Sequence, residues 1–388
     1  MTRQIHKSLL AVSAFLVGIV SFGAIAQPAT SAKTFSIVVV LPRAEGAIEL
    51  AFKDYLAKKH IAAQYTHLTY SGKSEDGPAL VAKVRALKPD LVYTYGTPTT
   101  LAVAGEFDTK TPEQFIRDIP IIFTEVTTPT GSRLLQQNAP PKRNVTGVSH
   151  VATIPVQLNT IRAYRPFKSL GYITNPKESN SIVIREALEK AGLANGFTVI
   201  NETVPLSADG LPDPKALPGI IRRIADKKPD FLYIAPSSFL AFTYRDTVTR
   251  EALAARLPTF CATESIVRKA QCLFGLFSSE PNTGRFAGFK AAQILAERVP
   301  VGTINSETLA RFSLIINIPI AKALDFYPPL SLLNIAEALG SGKPAATIVP
   351  SFLDGGPPPV APPSPQVLPS APVRAAGTTA AGQLAQKK

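Results

Sequence analysis

Lys88-Pro89-Asp90-Leu91-Val92-Tyr93 recurs as Lys228-Pro229-Asp230-Phe231-Leu232-Tyr233, an offset of 140 residues. In each copy a helical stretch ends, the chain turns at Pro, and an apolar strand follows. Pro blocks helix continuation and pushes the residue before it toward extended backbone. Two more pairs keep the same order. Ile119-Pro120-Ile121-Ile122-Phe123 is echoed by Leu257-Pro258-Thr259-Phe260-Cys261 at 138 residues, and Phe35–Pro42 by Ser169–Pro176 at 134. Three segments at nearly one offset imply two similar α/β units.

The strands expected are Phe35–Leu41, Asp90–Tyr95, Ile119–Phe123, Leu170–Thr174, Phe231–Ala235 and Pro258–Ala262. Their near-continuous apolar runs suit parallel sheets covered on both faces. Between them lie amphipathic helices: Leu80–Leu87, Ile182–Ala191, and one carrying Ile220, Ile221 and Ile224. This alternation predicts an α/β architecture of two doubly wound lobes. A chain of 388 residues, 45% hydrophobic and 18% charged, has the material for more than one core. The same composition excludes a disordered chain, a coiled coil and a disulfide-dense miniature domain.

In open α/β sheets, ligands bind beyond the carboxyl ends of the strands. Two such units facing each other put two sets of loops around one cleft, which can close by hinge motion. After Tyr95 come Gly96, Thr97, Pro98, Thr99 and Thr100, read as a turn, an N-cap at Thr97 and a helix start at Pro98. Free backbone N–H groups there suit a small anion, although any capped helix start has this look. After Phe123 the loop holds Glu125, Thr127 and Thr128. The second unit offers Asn180 and Ser181, then Ser237 and Ser238, then Glu264. These are the expected ligand-binding residues. Glu125 and Glu264 occupy matching places and could face each other across the cleft. Paired carboxylates can do acid–base work, but no nucleophile accompanies them, so ligand hydrogen bonding is the stronger reading and an enzyme is not expected.

Other chemistry is sparse. Two cysteines and four scattered histidines leave little for a zinc or iron–sulfur site, and neither a cofactor nor a metal is expected. Gly340-Ser341-Gly342-Lys343 lacks the first glycine of a phosphate loop, because position 337 is Glu. Cys261 and Cys272 could pair in an oxidising compartment, but spacing alone does not decide it.

The ends differ from the body. Residues 1–26 read as a secretory signal: Arg3, His6 and Lys7, an uncharged run from Leu9 to Ala24, and a small-x-small site at Ala24-Ile25-Ala26. No cysteine follows, so a periplasmic protein without a lipid anchor is expected. Residues 344–388 form a Pro/Ala-rich tail expected to be a disordered linker. The net charge of +13 is +9 for the body once both ends are set aside. Its basic residues are dispersed with no recognition motif, so nucleic acid is not an expected partner.

These residues resemble the substrate-binding proteins of ABC importers, in the group related to tryptophan and tyrosine uptake binding proteins. The resemblance spans about residues 34–338. It is carried by Pro89–Val92 with Gly96-Thr97-Pro98, Ile119–Thr124 with Val126-Thr127, Asn144–Ser149, and the Asn175-Pro176…Asn180-Ser181 loop. Gly284…Gly288 with Ala291–Leu295, and Ile316-Asn317…Ala321–Leu324, complete it. It implies a type I periplasmic-binding-protein fold with hinge crossovers. Lobe one would be 34–150 plus about 275–300, and lobe two 151–274 plus about 310–338. It also implies a small-molecule ligand delivered to a membrane permease. Such relatives often carry Thr-Asp-Pro where this chain has Thr127-Thr128-Pro129, Asp-Asn for Ser237-Ser238, and Asp-Tyr-Tyr near Ser279–Asn282. Loss of those acids points to a neutral or acidic solute, planar if Tyr93, Tyr95, Phe239 and Tyr244 face it. The alternatives are a periplasmic sensor or scaffold of the same fold, and a two-domain transferase, which export disfavours.

Overall fold

A computed structural model of the protein describes residues 33–340. The expected signal (1–26) and tail (344–388) lie outside the described residues. The chain opens with β1 (Phe35–Leu41), α1 (Ala47–Lys58), β2 (Ala63–Thr69), α2 (Gly77–Leu87) and β3 (Leu91–Tyr95). It continues through α3 (Thr97–Ala104), β4 (Ile121–Thr124) and β5 (Val145–Ser149). It then crosses to a second sheet with α4 (Ile154–Tyr164), β6 (Ser169–Thr174), α5 (Ser179–Asn195), β7 (Thr198–Thr203) and α6 (Leu217–Asp226). There follow β8 (Phe231–Ile234), a π-helical turn at Ser238–Thr243, α7 (Arg245–Ala254), β9 (Thr259–Cys261), α8 (Glu264–Lys269) and β10 (Phe274–Phe277). The chain returns to the first half for α9 (Glu280–Leu295), which packs on α1, and β11 (Glu307–Thr308). It crosses once more to β12 (Ser313–Asn317), α10 (Ile318–Leu324), α11 (Leu330–Leu333) and β13 (Glu337–Leu339).

The first sheet runs β11-β5-β4-β3-β1-β2, and the second β13-β12-β10-β9-β8-β6-β7. Every pairing is parallel except β10 with β12. The six strands and three helices expected from sequence are all present, and the fold is α/β with two doubly wound sheets joined by three crossings.

β1 shows why its sequence is apolar throughout. Ile37, Val39 and Leu41 pack into one core, and Val38 and Val40 into the core on the opposite face. Each fully buried side chain of this kind contributes roughly 1.5–3 kcal/mol. The second sheet has the same two-faced arrangement.

The repeated Lys-Pro-Asp has a structural meaning finer than a helix stop. Lys88, the C-cap of α2, and Lys228, two residues past the end of α6, take left-handed backbone, φ 44° and 49°. The Asp90 carboxylate then accepts the Ser36 N–H at 2.8 Å, tying β3 to the start of β1. Asp230 does the same for β6, accepting from Lys168 N at 2.7 Å and Ser169 N at 2.9 Å. The motif fixes where the central strands of each sheet begin, and therefore where they end.

Two glycines set the α1–α9 contact. A Cβ at Gly284 would collide with the Ile48 carbonyl, and one at Gly288 would press on Tyr55. The two helices lie backbone to backbone, which holds the start of α9 beside the carboxyl ends of the first sheet's strands.

Candidate ligand-binding cleft

The carboxyl ends of β3, β4 and β5 face those of β8 and β9 across a small cavity of about 30 Å³. Tyr95, Gly96, Thr97, Pro98, Glu125, Thr127 and His150 line it from the first half. Asn180, Pro236, Ser237, Ser238, Phe242, Thr263 and Ser265 line it from the second. The facing loops approach closely: a Cβ added to Gly96 would stand 3.7 Å from Ser238 Oγ. Gly96 has φ 77°, a left-handed turn suited to glycine, and it brings β3 into α3 within one residue.

Of the twelve residues expected to bind ligand, the structure gathers seven at this cavity: Thr97, Pro98, Glu125, Thr127, Asn180, Ser237 and Ser238. Gly96, not Thr97, is the N-cap of α3, and Thr97 is its first helical residue. The Thr97 hydroxyl is thus not spent on capping. Ser237 caps the π-helical turn, accepting from Leu240 N at 2.9 Å.

The other five stand elsewhere. Thr99 is buried in α3 and Thr100 bonds Gly96 O at 2.7 Å and Thr94 at 2.9 Å. Ser181 accepts the Asn175 N–H at 2.9 Å. Thr128 lines a separate cavity of about 250 Å³ with Ser149, Ile154 and Val183. Glu264 does not line the cavity, although its charge acts on Glu125. It pairs with Arg268 at 2.6 Å and accepts the Glu280 N–H at 2.7 Å, which turns it toward the start of α9.

The cavity wall is rich in polar atoms that no protein group satisfies. Thr97 Oγ1, Asn180 Oδ1, Thr263 Oγ1 and both ring nitrogens of His150 are buried without a hydrogen-bond partner among the described residues. Buried polar groups in folded proteins are nearly always paired. An unmade bond costs about 1–3 kcal/mol each, so a wall holding several is built for something that completes them. Asn180 is held in place through its amide, which donates to Pro236 O at 2.8 Å. Its oxygen is buried without a partner.

The charges are uneven. Glu125 sits in left-handed backbone, φ 58°, at the end of β4. For a non-glycine residue that conformation costs roughly 1–3 kcal/mol and recurs at functional sites. Burial, then the nearby Glu280 and against the pull of Arg43, pushes its carboxyl well above the usual range. His150 Nε2 lies 3.2 Å from Glu125 Oε2, and burial holds this imidazole down at about 3. Arg43, the nearest guanidinium, is paired to Glu49 at 2.8 Å and lies 3.9 Å over the Tyr95 ring. It also reaches within 5.2 Å of Phe242 in the second half, so an aromatic–cation–aromatic contact spans the cleft.

Sequence reasoning missed His150, Arg43 and Phe242, and of the Thr263–Ser265 loop it singled out Glu264 where the structure lines the cavity with Thr263 and Ser265. His150 follows β5, a strand not expected because Gly147 interrupts a short run; a Cβ at Gly147 would collide with Phe123, so glycine is required where β5 passes β4. Of the rings expected near a planar solute, Tyr95 lines the cavity. Tyr93 is buried in the first core, while Phe239 and Tyr244 pack on each other, centroids 4.7 Å apart.

Known proteins share this arrangement of sheets. The family model described as ABC transporter substrate binding protein matches residues 43–339. A tyrosine-binding protein of Clostridioides difficile (strain R20291) is 28% identical over 249 residues, 64% of this chain; the match spans 66% of that relative, just under two thirds. Among solved structures, a conserved domain protein of Vibrio cholerae superposes with a TM-score of 0.69 at 24% identity, over 79% of this chain and 99% of that one. An ABC domain of Streptococcus pneumonia in complex with L-Trp gives 0.65 at 20%, over 78% and 99%. These likenesses show the fold.

Proposed function

The chain belongs to the ABC transporter substrate-binding protein family, and on that premise we propose that it is an extracytoplasmic binding protein that closes two lobes on a small solute and delivers it to a membrane permease. The observation that carries this is the convergence of strand-end loops from both sheets on one cavity whose polar atoms lack protein partners. The sheet crossings at 149–154, 277–280 and 308–313 would be the hinge, and residues 1–26 the export signal. At about 30 Å³ the cavity has room for roughly one or two waters, so the lobes part further to admit a solute.

The solute we propose is an aromatic amine or amino acid. Tyr95 and Phe242 offer ring surfaces. The carboxylates of Glu125, Glu264, Glu280 and Glu49 stand around the site with Arg43, Arg268 and Lys269, and this reading takes an amine in place of the neutral or acidic solute expected from sequence. The names of the relatives, a tyrosine-binding protein and an L-Trp complex, point the same way. Calorimetric titration with L-tyrosine and L-tryptophan tests the proposal. Saturable one-to-one binding that stabilises the protein against heat is expected. Neither amino acid binding, with a non-aromatic molecule co-purifying by mass spectrometry, would overturn the aromatic reading.

A further inference from the structure

Among the described residues lining the cleft cavity, Glu125 is the one carboxylate and His150 the one imidazole. They come from the ends of neighbouring strands, β4 and β5, and both side chains are nearly buried. Their contact at 3.2 Å is not aligned as a hydrogen bond, and neither His150 nitrogen has another partner. We propose that Glu125 and His150 together recognise an ammonium-bearing ligand, and that the ligand binds with release of one proton from the pair. The inference rests on the reading of the cleft as a solute site.

The physical argument starts from charge. Burial drives both groups toward their uncharged forms, the carboxyl upward and the imidazole downward. Both shifts favour a pair that carries one titratable proton and no net charge. The charged groups facing Glu125 from the packed elements are Arg43 beyond β1, Glu49 on α1, Glu264 on α8 and Glu280 on α9. Arg43 is taken up by Glu49, and Glu264 by Arg268. What remains beside the cavity is Glu280, whose carboxyl is raised by burial and by Glu264 against the pull of Lys269.

A ligand ammonium entering this site removes the reason for the carboxyl to stay neutral. The O–H bond of Glu125 breaks and its proton goes to solvent. An N⁺–H···O⁻ hydrogen bond forms in its place, the ligand keeps its own protons, and neutral His150 keeps one nitrogen free to accept a second ligand N–H. Charge balances, with one cation in and one proton out. Charge-assisted bonds of this kind are about twice as strong as neutral ones. By linkage, amine affinity rises with pH, up to tenfold per unit, for as long as the pair still holds its proton. An analogue lacking the amine gains nothing from the exchange.

The test compares matched probes on the full chain: L-tyrosine against 3-(4-hydroxyphenyl)propionate, and L-tryptophan against 3-indolepropionate. Calorimetry is run between pH 6 and 8 in phosphate and in Tris, whose different ionisation heats count the protons exchanged. The amino acids are expected to bind at least 100-fold tighter than their partners, releasing about one proton and tightening with pH. Glu125→Gln is expected to lose that preference and the proton release while melting no lower than the wild type, because Gln escapes the cost of holding a proton at neutral pH. If Glu125→Gln does not fold, the wild-type proton count decides alone. Analogues binding as tightly as the amino acids, or amino acids binding with no proton exchange, would overturn the pair's role and leave the cleft reading standing. No member of either pair binding would overturn the aromatic reading and this inference together.

Discussion

Tyr93 in the first sheet and Tyr233 in the second occupy equivalent places of the repeat, and their hydroxyls meet different partners. Tyr93 donates to Glu49 at 3.0 Å and lies 2.7 Å from Thr124, within a charged group that includes Arg43. Tyr233 donates to neutral Gln157 at 2.6 Å. The same split runs up to the cavity. The first half presents Glu125 and His150, the second Asn180, Ser237, Ser238 and Thr263. One frame thus carries two kinds of side chain at the cavity: ionisable Glu125 and His150 from the first half, neutral hydrogen-bonding groups from the second. The frame is set by strand starts such as Asp90 and Asp230, and the chemistry by the loops beyond the strand ends.

The largest expected effect that separates the halves is Glu49→Ala. It leaves the Arg43 guanidinium buried without its carboxylate, a loss of about 3–5 kcal/mol. Urea denaturation measures it, and a change below about 1 kcal/mol would erase the distinction between the two networks. Next comes pH, through the second half. Burial raises the Glu178 carboxyl to about 7, partly offset by hydrogen bonds including the Phe239 N–H at 3.0 Å. A carboxyl raised on folding keeps the native state stable at low pH. That stability is lost as pH climbs from the unfolded value near 4.5 through 7, roughly 3 kcal/mol in all. Glu178→Gln is expected to gain on the wild type between pH 5 and pH 8, and an equal difference at both would contradict the assignment.

The disulfide belongs to the second half alone. Cys261 and Cys272 are joined, Cα atoms 6.5 Å apart and 11 residues apart in sequence. Replacing both by Ser should cost about 2–4 kcal/mol, read as a lower melting temperature, and reduction of the wild type should match it. The smallest effect is Gln157→Ala, which leaves the Tyr233 hydroxyl without its partner at about 1–3 kcal/mol. If it equalled Glu49→Ala, the two tyrosine networks would be alike after all.

Much of the frame was legible because it is written in local signals. Pro89 and Pro229 stop helices, and apolar runs such as Phe35–Leu41 mark strands covered on both faces. The strand-end rule then found Thr97, Glu125, Asn180 and Ser238 without any knowledge of how the loops fold. What stayed hidden depends on distance in sequence. Glu264 was matched to Glu125 by position, but it pairs with Arg268 one helical turn away and acts on Glu125 without lining the cavity. His150 was invisible because β5 is short and Gly147 interrupts its pattern, for a reason that lies on β4. Arg43 reaches Tyr95 and Phe242 only once both sheets are assembled.

The central claim is that the two halves move together on a solute held between them. Spin labels at exposed Lys83→Cys on α2 and Lys190→Cys on α5 report it by pulsed electron spin resonance. On saturation with whichever of L-tyrosine or L-tryptophan binds, the inter-label distance distribution should shift and narrow. An unchanged distribution under proven saturation would contradict the account.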